Sequence, residues 1–125
     1  MGPLCIAILA ASAAYVLPDP GVTLRWIHSV EHVPWDERYE ATARGLYLAE
    51  ARIHASGAGM DAPASARWNG ESWSYAPEVR LFDEITLANS TFVAGYRICG
   101  ERLGCAPLES FAPRGTAVTL AVRPC

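Results

Sequence analysis

From Val22 onward the chain alternates with a period of two, and that pattern excludes most helical folds open to a sequence of this length. Val22, Leu24, Trp26 and His28 fall on one side while Thr23, Arg25 and Ser29 fall on the other, the spacing of a half-buried strand. Beyond a break at Pro34, Tyr39, Ala41 and Ala43 alternate with Arg38, Glu40, Thr42 and Arg44, which predicts a second strand. Arg44-Gly45 is expected to be a two-residue hairpin loop, with residues 46–53 as the returning strand. Asn69-Gly70 is the strongest local turn signal. It joins residues 66–68 to 71–75 through a type I′ turn and sets Trp68 and Trp73 diagonally on one face.

Further short strands are predicted near 84–88, 93–99 and 117–123, the last aligning Val118, Leu120 and Val122. Residues 55–66 are too rich in Gly, Pro and Ala for a strand interior and form a loop. No long helical period and no internal repeat is present. About six to eight short strands with frequent turns predict an all-β fold, a single small antiparallel β-sandwich or partly closed β-barrel.

The 125 residues are enough for one domain with a core of its own. Ten arginines, no lysine and thirteen acidic residues give a net charge of −3 without a basic stripe in the sequence, so nucleic acid is excluded as the expected partner. Residues 3–17 are uncharged and apolar, too short for a bilayer that needs about 20 residues. They suit a signal-like leader or short anchor, with small-residue cleavage spacing at Ala11-Ser-Ala13. The domain proper is then 18–125, exported to the periplasm or the outer face of the inner membrane. Cys99 and Cys105 flank a loop small enough to let their sulfurs meet, as an oxidising compartment allows. Cys125, at the end of the chain, is left without a partner.

Two constellations carry possible chemistry. Residues 28–32 match H-x-x-E-H, in which two histidines hold a metal and a glutamate activates water. That chemistry needs a helix to bring i and i+4 together, whereas strand geometry sets His28 and His32 roughly 13 Å apart. The second constellation follows from the hairpin. A loop at Arg44-Gly45 opposes Tyr39 to Glu50 and Glu37 to Arg52 on the core side. With His28 this forms a polar cluster beside Gly57-Ala-Gly59, while Ser29 and Glu31 point the other way. Inward charges need partners, so the cluster is either an internal network or a pocket in which Arg52 grips a carboxylate. Asn89-Ser-Thr91 matches a glycosylation acceptor, although its neighbours favour a turn.

The order His28-Ser-Val-Glu31, Pro34-Trp-x-Glu37, Glu50-x-Arg52, Gly57-Ala-Gly59-Met and Leu87-Ala-Asn-Ser90 followed by Gly95-Tyr-Arg resembles the bacterial domain-of-unknown-function 1850 family, from about Leu17 to about Leu108. Members of that family often carry Lys or Arg where His32 stands here, a departure that argues against zinc binding at His32. The resemblance implies an accessory role beside TAXI-type TRAP transporters, which pair a periplasmic receptor with an ion-coupled permease for organic acids. It implies no reaction, no catalytic residues, no metal and no cofactor. The expected partners are the permease, the solute receptor or a small carboxylate. A metal-assisted hydrolase built on His28, Glu31 and His32 is the rival from another class, and a purely structural β domain is the third reading.

Overall fold

The computed structural model describes residues 2–27, 33–54, 66–91 and 95–125. The described residues form two antiparallel sheets packed face to face, not closed into a barrel. The all-β class and the sandwich alternative are therefore correct.

The smaller sheet is built from β1 (Leu4–Ala10), β2 (Ala13–Val16), β9 (Glu84–Leu87) and β12 (Val118–Pro124), in the order β2-β1-β12-β9. The larger contains β3 (Gly21–Ile27), β4 (Pro34–Thr42), β5 (Gly45–Ile53), β6 (Arg67–Trp68), β7 (Trp73–Tyr75), β10 (Arg97–Gly100) and β11 (Gly104–Pro107). Its order is β11-β10-β3-β4-β5-β7-β6, and β8 (Leu81–Phe82) adds to one end of β5. β1 lies over β3 and β4, and β12 over β4 and β5. Between the sheets Ile6, Ile8, Leu24, Leu46, Ile98 and Leu120 are fully buried. Each such side chain contributes roughly 1.5–3 kcal/mol through removal from water.

The alternation seen from Val22 holds. Val22 and Leu24 are buried while Thr23 and Arg25 face outward. Residues 4–16, by contrast, are part of the domain's own sheet, with Cys5, Ile6, Ala7 and Ile8 all buried. An uninterrupted apolar run suits a strand covered on both faces as well as it suits a leader. Apolarity therefore does not separate the two.

The β4–β5 hairpin turns one residue earlier than expected. Thr42 pairs with Gly45, so Ala43-Arg44 is the loop. Gly45 opens β5 at φ 129°, and a Cβ there would run into the backbone carbonyl of Phe82 on β8, which is why glycine stands at this strand end. A β-bulge follows: Tyr39 opposes Leu48 but Arg38 opposes Glu50, leaving Ala49 extra. The shifted turn alone moves each pairing by two residues and keeps the faces, whereas the bulge moves Glu50 and Arg52 to the face opposite Glu37.

The Asn69-Gly70 hairpin exists, with a longer loop than the type I′ turn. Arg67 pairs with Ser74 and Trp68 with Trp73, so four residues make the connection. Asn69 Oδ1 accepts the N–H groups of Glu71 and Ser72 at 2.9 and 2.7 Å, replacing the shorter turn's backbone bonds with a side-chain one. Trp68 and Trp73 consequently stand directly opposite each other, ring centroids 5.5 Å apart.

Cys99 and Cys105 are bonded as expected and directly opposed across β10 and β11. Cys125 corrects the sequence reading. It is bonded to Cys5, 120 residues away in sequence. The β1–β12 pairing, with Leu4 opposite Pro124 and Cys5 opposite Arg123, carries the two ends to the same place, a long-range closure that cysteine spacing does not disclose.

Candidate functional site

β4 is the central strand of the larger sheet, and its two faces carry different chemistry. Trp35, Glu37, Tyr39 and Ala41 point toward the smaller sheet, whereas Asp36, Arg38 and Glu40 point away from it. The bulge therefore separates Glu37 from Glu50 and Arg52. Glu37 opposes Ala51 on the inner side; Glu50 and Arg52 are on the outer side. The anticipated Glu37–Arg52 pair does not form. Arg52 Nε instead bonds Glu50 Oε1 at 2.7 Å. His28, Ser29, Glu31, Gly57 and Gly59 lie outside the described residues.

The inner arrangement is a carboxyl among aromatic rings. Tyr39 O–H donates to Glu37 Oε1 at 2.9 Å. Trp26 packs against Trp35 and Tyr96, with ring centroids 6.3 and 5.7 Å away. Burial raises the Glu37 pKa above its ordinary value, only partly opposed by the Tyr39 hydrogen bond. Burial and the nearby Glu37 charge in turn raise the pKa values of Tyr39, Tyr75 and Tyr96, keeping the phenols protonated at neutral pH.

The sign of Glu37's effect on stability follows from linkage. Its pKa is higher folded than unfolded, so stability is full below the unfolded value and is lost as pH rises through the folded one. Glu37→Gln keeps an acceptor for Tyr39 and removes the charge. It should stabilise the domain at pH 7, where the buried charge is removed, and leave it unchanged near pH 3. Urea unfolding at both pH values checks this; an equal gain at each would sink the assignment of the effect to ionisation.

The outer arrangement escaped sequence reading. Arg25 grips Asp36 with two bonds, Nε to Oδ1 at 2.6 Å and Nη2 to Oδ2 at 2.9 Å. His54 Nε2 is 2.7 Å from Asp36 Oδ2. Asp36 is only 4% exposed. Burial opposes its ionisation, but the Arg25 and His54 hydrogen bonds outweigh burial and hold the carboxyl below its ordinary pKa. Alongside, Glu50 Oε2 accepts the Ser74 hydroxyl at 2.6 Å. The pairings Arg67–Ser74, Ser74–Arg52, Arg52–Asp36, Asp36–Arg25 and Arg25–Arg97 form one lateral row across β6, β7, β5, β4, β3 and β10. Four of its six members are arginines. The one signal for this row in the sequence was Arg25 on the outward side of β3; the other members belong to strands whose order only folding decides.

A family model described as Domain of unknown function (DUF1850) matches residues 22–105, which run from β3 into β11. The chain belongs to the DUF1850 family. No curated protein and no solved structure matches it. Within this DUF1850 chain, no group of three or more metal-ligating side chains occurs among the described residues, and the H-x-x-E-H stretch, residues 28–32, lies outside them. The Asn89 acceptor is closed to modification in the folded state. Its side chain is 1% exposed, and Nδ2 donates to the carbonyls of Pro113 and Thr116 at 3.0 and 3.2 Å, fastening the 113–116 turn.

Proposed function

We propose that this chain is an exported accessory domain of a TAXI-type TRAP organic-acid uptake system, acting by binding and not by catalysis. The observation that carries the reading is the arginine-bearing outer face. On a chain of net charge −3, the outward strand positions of the larger sheet gather Arg25, Arg38, Arg52, Arg67 and Arg97 against Asp36, Glu40 and Glu50. Guanidinium groups match carboxylates in geometry as well as charge, so such a face suits carboxylate-bearing solutes or proteins. The two disulfides support an oxidising compartment. The resemblance described above supplies the transporter context.

The domain would work either by docking on the permease or solute receptor or by holding a small carboxylate near Arg52. Affinity-tagged protein purified from gently solubilised membranes should bring the neighbouring transporter proteins with it, and deletion of its gene should reduce uptake of the transported acid. No association together with normal uptake would overturn the proposal.

A further inference from the structure

We infer that the arginine row is a docking surface for an extended acidic segment of a partner protein, an inference that rests on the uptake-accessory reading and names the class of partner. Six hydrogen-bonded strands with a spacing of about 4.8 Å make the row roughly 24 Å long. A small organic acid reaches one end of the row; a run of carboxylates on an extended polypeptide spans it from Arg67 to Arg97.

The row's own charge pairing points the same way. Arg25 is occupied by Asp36, and Arg52 by Glu50. Arg67 and Arg97, at the two ends, are exposed and make no ion pair among the described residues. Beside Arg67 a cleft of about 540 Å³ is lined by Glu50, Asn69, Ser74, Tyr75 and Arg80, giving one end of the row depth as well as charge. The central Arg25–Asp36–His54 group is satisfied by its own hydrogen bonds, and the two end arginines are exposed and unpaired among the described residues. Complementary charge of this kind sets encounter rate and orientation, and it weakens with salt.

The probe is an oligo-glutamate peptide of about eight residues, extending roughly 26 Å as a strand, with succinate as the small carboxylate and phosphatidylglycerol vesicles as the anionic membrane. The peptide should bind the folded protein in low salt. Combining Arg67→Glu with Arg97→Glu should weaken it about tenfold or more. Combining Arg44→Glu with Arg123→Glu makes the same change in net charge away from the row and should weaken it less than about twofold. Thermal melts check that both variants stay folded, as exposed substitutions generally do.

Absence of peptide binding, equal weakening in the two variants, succinate bound as tightly as the peptide, or vesicles bound in its place would each overturn the inference. Its failure is separable from that of the uptake reading. Transporter association that survives Arg67→Glu with Arg97→Glu refutes the docking face alone. Peptide binding through the row without transporter association or an uptake defect supports the face and removes the uptake assignment.

Discussion

Replacing Cys5 and Cys125 together by alanine should cost about 5 kcal/mol, whereas the same change at Cys99 and Cys105 should cost about 2 kcal/mol. The difference lies in the unfolded chain. The first bond joins residues 120 apart and the second residues 6 apart. A cross-link removes more conformations from a long loop than from a short one. The small bond also joins residues already held opposite each other by the β10–β11 hairpin. The large bond instead secures β1 and β12, the inner pair of the smaller sheet. Domains of this size are stable by only about 5–15 kcal/mol, so loss of the long link should bring the protein close to unfolding at ambient temperature. Denaturant unfolding of the two double variants measures both values. Equal losses, or a larger loss at Cys99 and Cys105, would contradict the chain-entropy account.

Asp19→Ala should destabilise the domain by about 2–3 kcal/mol through the opposite route, by damaging the folded state. Asp19 is 1% exposed and joins the two sheets. Its backbone carbonyl accepts the Ile6 N–H of β1 at 3.0 Å. Its carboxylate accepts the N–H groups of Arg102 and Leu103 at 2.8 Å each, closing the turn between β10 and β11. Alanine leaves both donors without an acceptor in a part-buried turn, and unpaired donors retain their full desolvation cost. Asparagine keeps one acceptor and should lose about half as much. Hydrogen exchange gives the local reading: the Arg102 and Leu103 amides should lose protection in Asp19→Ala. Unchanged protection would refute the capping role. Gly100→Ala should mimic part of the defect, because a Cβ at that position meets the Asp19 carboxylate itself.

Local chemistry explains which sequence expectations hold. Val22, Leu24, Thr23 and Arg25 were placed on their correct faces because alternation along one strand depends only on the pleat. Cys99 and Cys105 were paired correctly because the residues between them form one tight hairpin. The Glu37–Arg52 pairing failed for a reason just as physical. Glu37 and Arg52 lie on different strands, and their relative faces depend on counting residues around a turn and past a bulge. The turn begins at Ala43, Ala49 is extra, and Arg52 ends opposite Asp36 in place of Glu37.

The residues from Trp26 to Glu37 show the same division. Strand pattern argued against a helix-borne metal motif there. It did not reveal that Asp36, next to Glu37, anchors a network with Arg25 and His54. His54 follows β5 directly, and its backbone N–H donates to the Pro34 carbonyl at 2.9 Å, which brings it back beside the strand carrying Asp36. No periodicity predicts that return.

By itself the amino-acid sequence determined that this chain is built of short antiparallel strands, where several of them turn, and which family it resembles, because residue alternation and turn chemistry act over a few neighbours. Only the tertiary structure decided that residues 4–16 join the sheet, that Cys5 meets Cys125, that Glu37 and Arg52 part company, and that arginines from separate strands share one row. Those outcomes depend on strand order and register, which are set by burial across the whole domain and not by any single segment.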